Sequence, residues 1–479
     1  MSARRLVSFV AILFVCFGGC APRTTGPGDG DGTCDPDAPE CGAGLVCAAV
    51  FGADARCLAP VIIRGHVLAL VDDSPIEGAL VQAVDVNGAA VGTTAATDAD
   101  GAYELTVPAV RGDEGEPLEG VYTLRVQAAG SQEFPTAIRP ALPLDATTAV
   151  TSEDEDPWVI ENALTTVKLI ALLGDTSALG SISGSIDAEK NAGILVVAET
   201  TDGALTGFSN GEGGYTIFNV PAGSYTVRGF AAGVQITATN VSLEAGEDAT
   251  GIDLSESDNP LNTVSGNVQI VNAPGGSATS VVLAVESTFV DASARGAVPP
   301  GLRVGDIAGA FTLEEVPDGR YVVLAAFEND GLVRDPDQTI GGTAIVRIEL
   351  PDPDAGNVLA ISEGFKVTGA SATVSPGSDG PEEISTATPL FEWEDDSSED
   401  GYDIRVLDAF GNEVWTERID SVSGSETVTL LYAGPPLEPG IFYQFRVTSF
   451  RDKNDVETAI SITEDLKGVF FLASGSSVE

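Results

Sequence analysis

The chain holds a single histidine, His66, and this limits which reactions its side chains can run. A Ser-His-Asp triad or a Cys-His dyad needs an imidazole within hydrogen-bond reach of its partners. His66 sits in the alternating run Ile63-Arg64-Gly65-His66-Val67, which predicts a strand with His66 facing outward. No His-Glu-x-x-His pair and no glycine loop poised before a helix to cradle phosphate is present. Paired carboxylates can hydrolyse glycosides, but among 72 acidic residues the proximity of two carries no information. The expectation is a protein without catalytic residues. Calcium is the more serious chemistry, because hard cations take several oxygens from a tight loop. Asp29-Gly30-Asp31 with Asp35 and Asp37, Asp98-Ala99-Asp100-Gly101, Glu153 to Asp156, and Asp395-Asp396 with Glu399-Asp400 supply such oxygens. None completes an EF-hand. Asp98 and Asp100 are the calcium candidates, against a solvated turn as the default reading, and no other cofactor is expected.

The cysteines point to a compartment. Cys34, Cys41, Cys47 and Cys57 crowd into one short segment. In an oxidising space they read as two disulfides with three possible connectivities. Zinc is the rival, but the segment has no Cys-x2-Cys pair and the chain only one histidine. So short a segment cannot bury a core, and disulfides would have to stabilise it.

The N-terminus agrees. Arg4 and Arg5 precede an uncharged apolar run from Leu6 to Phe17, closed by Gly18-Gly19-Cys20. The run is shorter than the ~20 residues a spanning helix needs and reads as an export signal. Small residues directly before a cysteine resemble the lipobox of bacterial lipoproteins, with Phe17 and Gly18 in place of the usual Leu and Ala or Ser. The resemblance implies cleavage before Cys20, a lipid on Cys20, and anchoring through more than one acyl chain. The other reading is an ordinary secretory signal; either makes the mature chain extracytoplasmic. Ala21 rather than Asp after the cysteine resembles Gram-negative lipoproteins sent on to the outer membrane.

With 479 residues the chain is long enough for several domains. Its 55 glycines and 27 prolines, with Val, Ile and Thr in short runs, favour strands and turns. The net charge of −49 makes a surface that repels nucleic acid and anionic lipid, and no nucleic-acid partner is expected. It suits solubility, cationic partners or divalent metal.

Past Leu58 one unit occurs three times. Each copy opens on a strand with glycine at its third position: Gly65, Gly184 and Gly266. Each then has a turn followed by an aromatic. These are Asp98 to Gly101 with Tyr103, Asn210 to Gly213 with Tyr215, and Asp306 to Gly309 with Phe311. A Pro-x-Gly turn into another strand follows in Pro221-Ala222-Gly223-Ser224-Tyr225 and Pro317-Asp318-Gly319-Arg320-Tyr321. In the first copy an acidic loop, Arg111 to Glu119, separates Pro108 from Gly120 and Tyr122. Asp or Asn can bond its own backbone two residues on, glycine takes the positive φ the turn needs, and the aromatic lands on one strand face to fill the core. Each copy thus predicts an antiparallel sandwich of roughly seven strands.

These motifs resemble the carboxypeptidase regulatory-like family, also called transthyretin-like. The resemblance implies non-catalytic β-domains, with the motif Gly, Asp and Tyr residues structural. Related collagen-adhesin folds carry Lys–Asn isopeptide bonds. Of this chain's lysines (Lys168, Lys190, Lys366, Lys453 and Lys467), none stands at the matching place in strand one. The C-terminal stretch differs: Phe391-Glu392-Trp393 and Leu437-Glu438-Pro439-Gly440, leading to Tyr443 and Arg446-Val447, resemble fibronectin type III. There Trp393 would be core and Tyr443 would bond back across a corner.

The expected fold class is all-β, tandem antiparallel sandwiches. The expected order is a signal over 1–19, a tether over 20–33 and a disulfide knot over 34–58. Regulatory-like sandwiches follow over 61–178, 180–256 and 262–350, and a fibronectin type III-like sandwich over 367–474. The favoured function is a lipid-anchored surface scaffold or adhesion module: a rod of three units tipped by a fourth, meeting an envelope protein or glycan. The alternative is a carbohydrate- or calcium-dependent binding protein. That reading wants exposed aromatics, and the chain is only 6% aromatic.

Overall fold

The computed structural model describes residues 33–472 other than 36–40, 43, 86–89, 137–140, 152–156, 202, 272–277, 291–295, 306, 308, 329–333, 337–345, 369–370, 396–398, 423–425, 440, 454–455 and 464–466. The signal-like run, Cys20, nearly all of the tether, the acidic stretch 152–156 and Asp306 thus lie outside the described residues. The described chain is all-β. Its only helices there are single 3-10 turns at Ala146–Thr148, Ala163–Thr165 and Glu286–Thr288.

Each repeat closes as two facing sheets. In the second, Gly180–Asp187 pairs antiparallel with Gly214–Val220 and parallel with Asp248–Ala249 and Leu254–Ser255. The facing sheet runs Ala204–Phe208, Leu195–Glu199, Gly223–Ala231, with Thr239–Leu243 beyond. The first repeat follows this plan: Val61–Ala69 takes Ala102–Val107 antiparallel and both Trp158–Ile160 and Thr166–Leu169 parallel. In the third, Asn262–Val271 takes Ala310–Val316 antiparallel and Val358–Thr368 parallel. The sandwiches are antiparallel save for this returning strand beside strand one. Alternation sends Ile182, Ile186, Val196, Ala198, Ile217 and Val227 into the second core. The third core also takes in Leu195, Val197 and Phe230 from the second unit.

Three expectations are corrected. The third unit does not end at 350, because Val358–Thr368 pairs along strand one from Thr263↔Val358 to Val271↔Thr368. The cysteine-rich segment is not a separate knot. Its hairpin, Val46–Val50 with Ala53–Leu58, joins Val110–Arg111 and Pro117–Glu119 in one four-stranded sheet. Too short to hold a core, it completes a sheet with the loop that interrupts the first repeat. Nor is the last sandwich the tip of a rod. Ile170 of the first unit is buried in its core, Leu70 packs beside it, and Gln132 Nε2 donates to the Ala409 carbonyl.

That last unit sets Thr373–Ser375, Leu390–Glu394 and Thr427–Leu431 against a larger sheet. The latter runs Glu382–Ile384, Val469–Leu472, Phe442–Lys453, Gly401–Asp408, Glu413–Asp420. Phe391 stacks on Phe445 at 4.5 Å between ring centroids.

Candidate functional site

The repeat glycines and aromatics form one lock. Gly65 lies opposite Tyr103, Gly184 opposite Tyr215 and Gly266 opposite Phe311. Each ring crosses the strand where no side chain stands. In the first two copies the hydroxyl goes on to the returning strand: Tyr103 donates to Thr165 O at 2.8 Å and Tyr215 to Ile252 O at 2.5 Å. The returning strand breaks its pairing there, at the Ala163–Thr165 turn in the first copy and between Ala249 and Leu254 in the second. Burial raises both phenol pKa values, with Asp253 adding to the effect on Tyr215, so both remain protonated donors at neutral pH. Phe311 lacks the hydroxyl, and its returning strand instead shifts register between the pairs Ser265↔Ala360 and Asn267↔Gly364. Tyr215→Phe is therefore expected to cost about 1.5 kcal/mol by orphaning the Ile252 carbonyl. A urea titration with lowered midpoint and unchanged slope would show it.

The acidic turn is a second device. Asp98 Oδ1 accepts the amides of Asp100 and Ala102, each at 2.9 Å, and Asn210 Oδ1 those of Glu212 and Gly214 at the same distance. Gly101 and Gly213 take φ of 72° and 85°, and their carbonyls accept from Val67 and Ile186 in strand one. Gly309 does the same for Val268. One oxygen of Asp98 is thus committed to the backbone, while Asp100 is exposed beside it. That asparagine fills the same role in the second copy marks the turn, not a charge, as what the position requires. Asp408, in the C-terminal unit, builds the same turn with Phe410 and Asn412. Its Asp-x-x-Gly-x spelling was legible in the sequence but unused.

The Pro-x-Gly motif is the third device. Tyr225 donates to Pro221 O at 2.8 Å and Tyr321 to Pro317 O at 2.9 Å. In the first copy Tyr122 still reaches the Pro108 carbonyl across the intervening loop. Gly223 and Gly319 lie under their own tyrosine rings. In the last unit the Tyr443 hydroxyl oxygen accepts the Glu438 amide at 2.8 Å, closing a corner, and Trp393 is fully buried, edge-on to Tyr402 at 5.5 Å. His66 is exposed on its strand.

The disulfides are Cys34–Cys47 and Cys41–Cys57, with Cα separations of 5.8 and 5.5 Å. The sulfurs of Cys34, Cys41 and Cys57 lie close together, but all are spent in these bonds and unavailable to zinc. Beside the hairpin, paired with Val50, lies Arg111, 1% exposed. Its Nε donates to Gly115 O and its Nη2 to Ala59 O, both at 2.7 Å, and its own carbonyl accepts the Phe51 amide. Burial lowers the Arg111 pKa while Glu116 opposes the shift. Arg56 Nη2 also reaches Asp113 O at 3.0 Å. Sequence reading placed neither arginine; the signal was a loop found in one copy of three. A small groove of about 140 Å³ between Leu142 and Leu164 is below the size of ordinary ligand pockets.

No family model matches the chain, and no curated protein matches it. Solved structures do. The Bacillus anthracis TIE protein is 12% identical, covering 84% of this chain and 69% of its own, at a TM-score of 0.15. The shaft pilin SpaA from Lactobacillus rhamnosus GG is 12% identical over 42% of this chain and 98% of its own, at 0.17. BcpA, the major pilin subunit of Bacillus cereus, is 11% identical over 64% and 99%, at 0.18. Such TM-scores carry no weight for function.

Proposed function

We propose that this chain is a non-enzymatic, lipid-anchored protein of the cell envelope whose sandwiches serve as a surface scaffold or adhesion module. The observation that carries it is the pair of disulfides standing just downstream of an export-type N-terminus. Disulfides persist outside the cytosol, and Gly18-Gly19-Cys20 offers the lipid attachment point. Ala21 favours the outer membrane of a Gram-negative cell. The repeats are read as carboxypeptidase regulatory-like domains and the last as fibronectin type III-like, folds that host many binding roles. The motif residues are absorbed by turns and core, which leaves loops to meet an envelope protein or glycan. The charge of −49 argues against nucleic acid.

Cys20→Ser tests the anchor. The wild-type chain is expected to take up a labelled fatty acid and to sediment with outer membranes. The variant is expected to lose the label and appear in the soluble fraction; a labelled variant, or an unlabelled wild type, would sink the assignment. The binding role is tested with the chain from Ala21 onward, disulfides intact, because the hairpin pairs with a loop of the first repeat. Saturable capture of a protein from its own envelope supports the scaffold reading. Saturable, calcium-sensitive capture of a glycan alone replaces it with the carbohydrate-binding one.

A further inference from the structure

The joints between consecutive repeats are spelled in the sequence, and the spelling stops at both ends of the array. Three residues after the Pro-x-Gly tyrosine, the first two copies carry Arg125 and Arg228, and the third carries Leu324. Six to eight residues after it, the first two read Ala128-Ala129-Gly130 and Ala231-Ala232-Gly233, and the third does not. Gly130 and Gly233 both turn at positive φ, 71° and 80°. The complementary feature lies in the next copy. From lock aromatic to the Val-Pro pair, copies two and three are one residue longer than copy one (Tyr215 to Val220 and Phe311 to Val316, against Tyr103 to Val107). The extra residue shifts the register with strand one and puts Asn219 and Glu315 at φ of 62° and 57°. The first copy, with no repeat before it, pairs without a shift.

These features meet. Asn219 Oδ1 accepts the Gly130 amide at 2.6 Å, and its Nδ2 donates to Ala128 O at 3.1 Å and Ser131 O at 2.9 Å. One joint further on, Glu315 O accepts the Gly233 amide at 2.9 Å. The arginines add to each joint: Arg125 lies over the Phe208 ring of the second unit. Arg228 pairs with Glu199 at 3.1 Å, and Ser287 of the third unit donates to that same carboxylate at 2.7 Å.

We propose that the Arg plus Ala-Ala-Gly turn of one repeat and the bulge residue of the next are a directional docking pair. It locks the three repeats into one rigid body and ends the array at three. A copy without the turn cannot accept a successor, and a copy without the bulge cannot follow a predecessor. Domains within a chain move relative to one another unless a large apolar interface joins them. The second joint also shares Leu195, Val197 and Phe230 with the third core, while at the first the polar docking pair sets the reach and orientation of whatever loops do the binding.

Asn219→Gly is the test, because glycine keeps the positive φ and removes only the side chain. Amide exchange is read in the full chain with its disulfides intact. The expected result is lost protection at Gly130 with Gly214–Val220 still protected, which shows the joint opening while the sandwich stays folded. Adding Arg125→Ala is expected to split a shared thermal transition of the first two units into two. Unchanged exchange at Gly130, or a wild type whose first two units already melt separately, overturns the proposal.

Discussion

Gly184→Val is expected to unfold the second sandwich, at a cost of about 3 kcal/mol or more. A Cβ at that position would stand 2.1 Å from the Ile252 carbonyl oxygen, 2.5 Å from its carbon and 3.0 Å from its nitrogen. All three are backbone atoms, so no rotamer change relieves the clash. They cannot retreat, because the Ile252 amide bonds Ser183 O at 3.0 Å and the adjoining Asp253 carboxylate holds the Ser185 amide at 2.9 Å. Moving the returning strand outward would also break the Tyr215 bond. Gly65 is as tight, at 1.9 Å from the Thr165 carbonyl, and its valine variant should fail likewise. Gly266 is expected to be milder, since its nearest neighbour is the tip of the Phe311 ring at 2.6 Å, a side chain that can shift. Gly309→Ala is the control: it meets only Asn267 Oδ1 at 3.8 Å, and its stability should stay within about 0.5 kcal/mol of wild type. Urea melts of the four variants check the ranking. If Gly184→Val keeps its midpoint, the lock is not what closes the sandwich.

The motifs were readable because each is local. Asp98 and Asn210 satisfy amides two and four residues on, and the Pro221–Tyr225 and Pro317–Tyr321 bonds span four residues, so spacing alone exposes them. What the lock tyrosines bond to was not readable. Thr165 is 62 residues from Tyr103, and Ile252 is 37 from Tyr215; nothing in a linear pattern says that a returning strand breaks there. The third unit's closing strand was missed for a related reason. Pro351 to Asn357 has the composition of a linker, yet it is a turn, with Asp352 Oδ1 taking the Asp354 and Ala355 amides, and the chain re-enters the sheet beyond it. The bulge residues were hidden differently: one added residue is visible only when the copies are aligned on both the lock aromatic and the Val-Pro pair. The contact of the first unit with the last depends on Ile170 and Leu70, which in sequence look like any residues at strand ends.

Arg111→Ala is expected to loosen the disulfide-bearing hairpin from the first repeat without unfolding the others, at a cost of about 3 kcal/mol. Truncation leaves the Gly115 and Ala59 carbonyls without their guanidinium donor and opens a void where the buried side chain stood. The disulfides act on the same sheet from the other side. Cys34–Cys47 and Cys41–Cys57 close spans of 13 and 16 residues, and cross-links of that size stabilise by about 3 kcal/mol each in the chain-entropy picture. Reduction alone should therefore also free the hairpin. Since both changes remove one docking, their effects should not add: once the hairpin is loose, reduction has little left to release. Limited proteolysis measures this, with cleavage expected between Arg111 and Glu119 in Arg111→Ala, in the reduced wild type, and at a similar rate in the reduced variant. Full additivity would mean that the arginine and the disulfides stabilise separate structures. Resistance of the Arg111→Ala loop would mean that strand pairing through Val50↔Arg111 suffices without the guanidinium. The coupled outcome would make the hairpin and first repeat a single base.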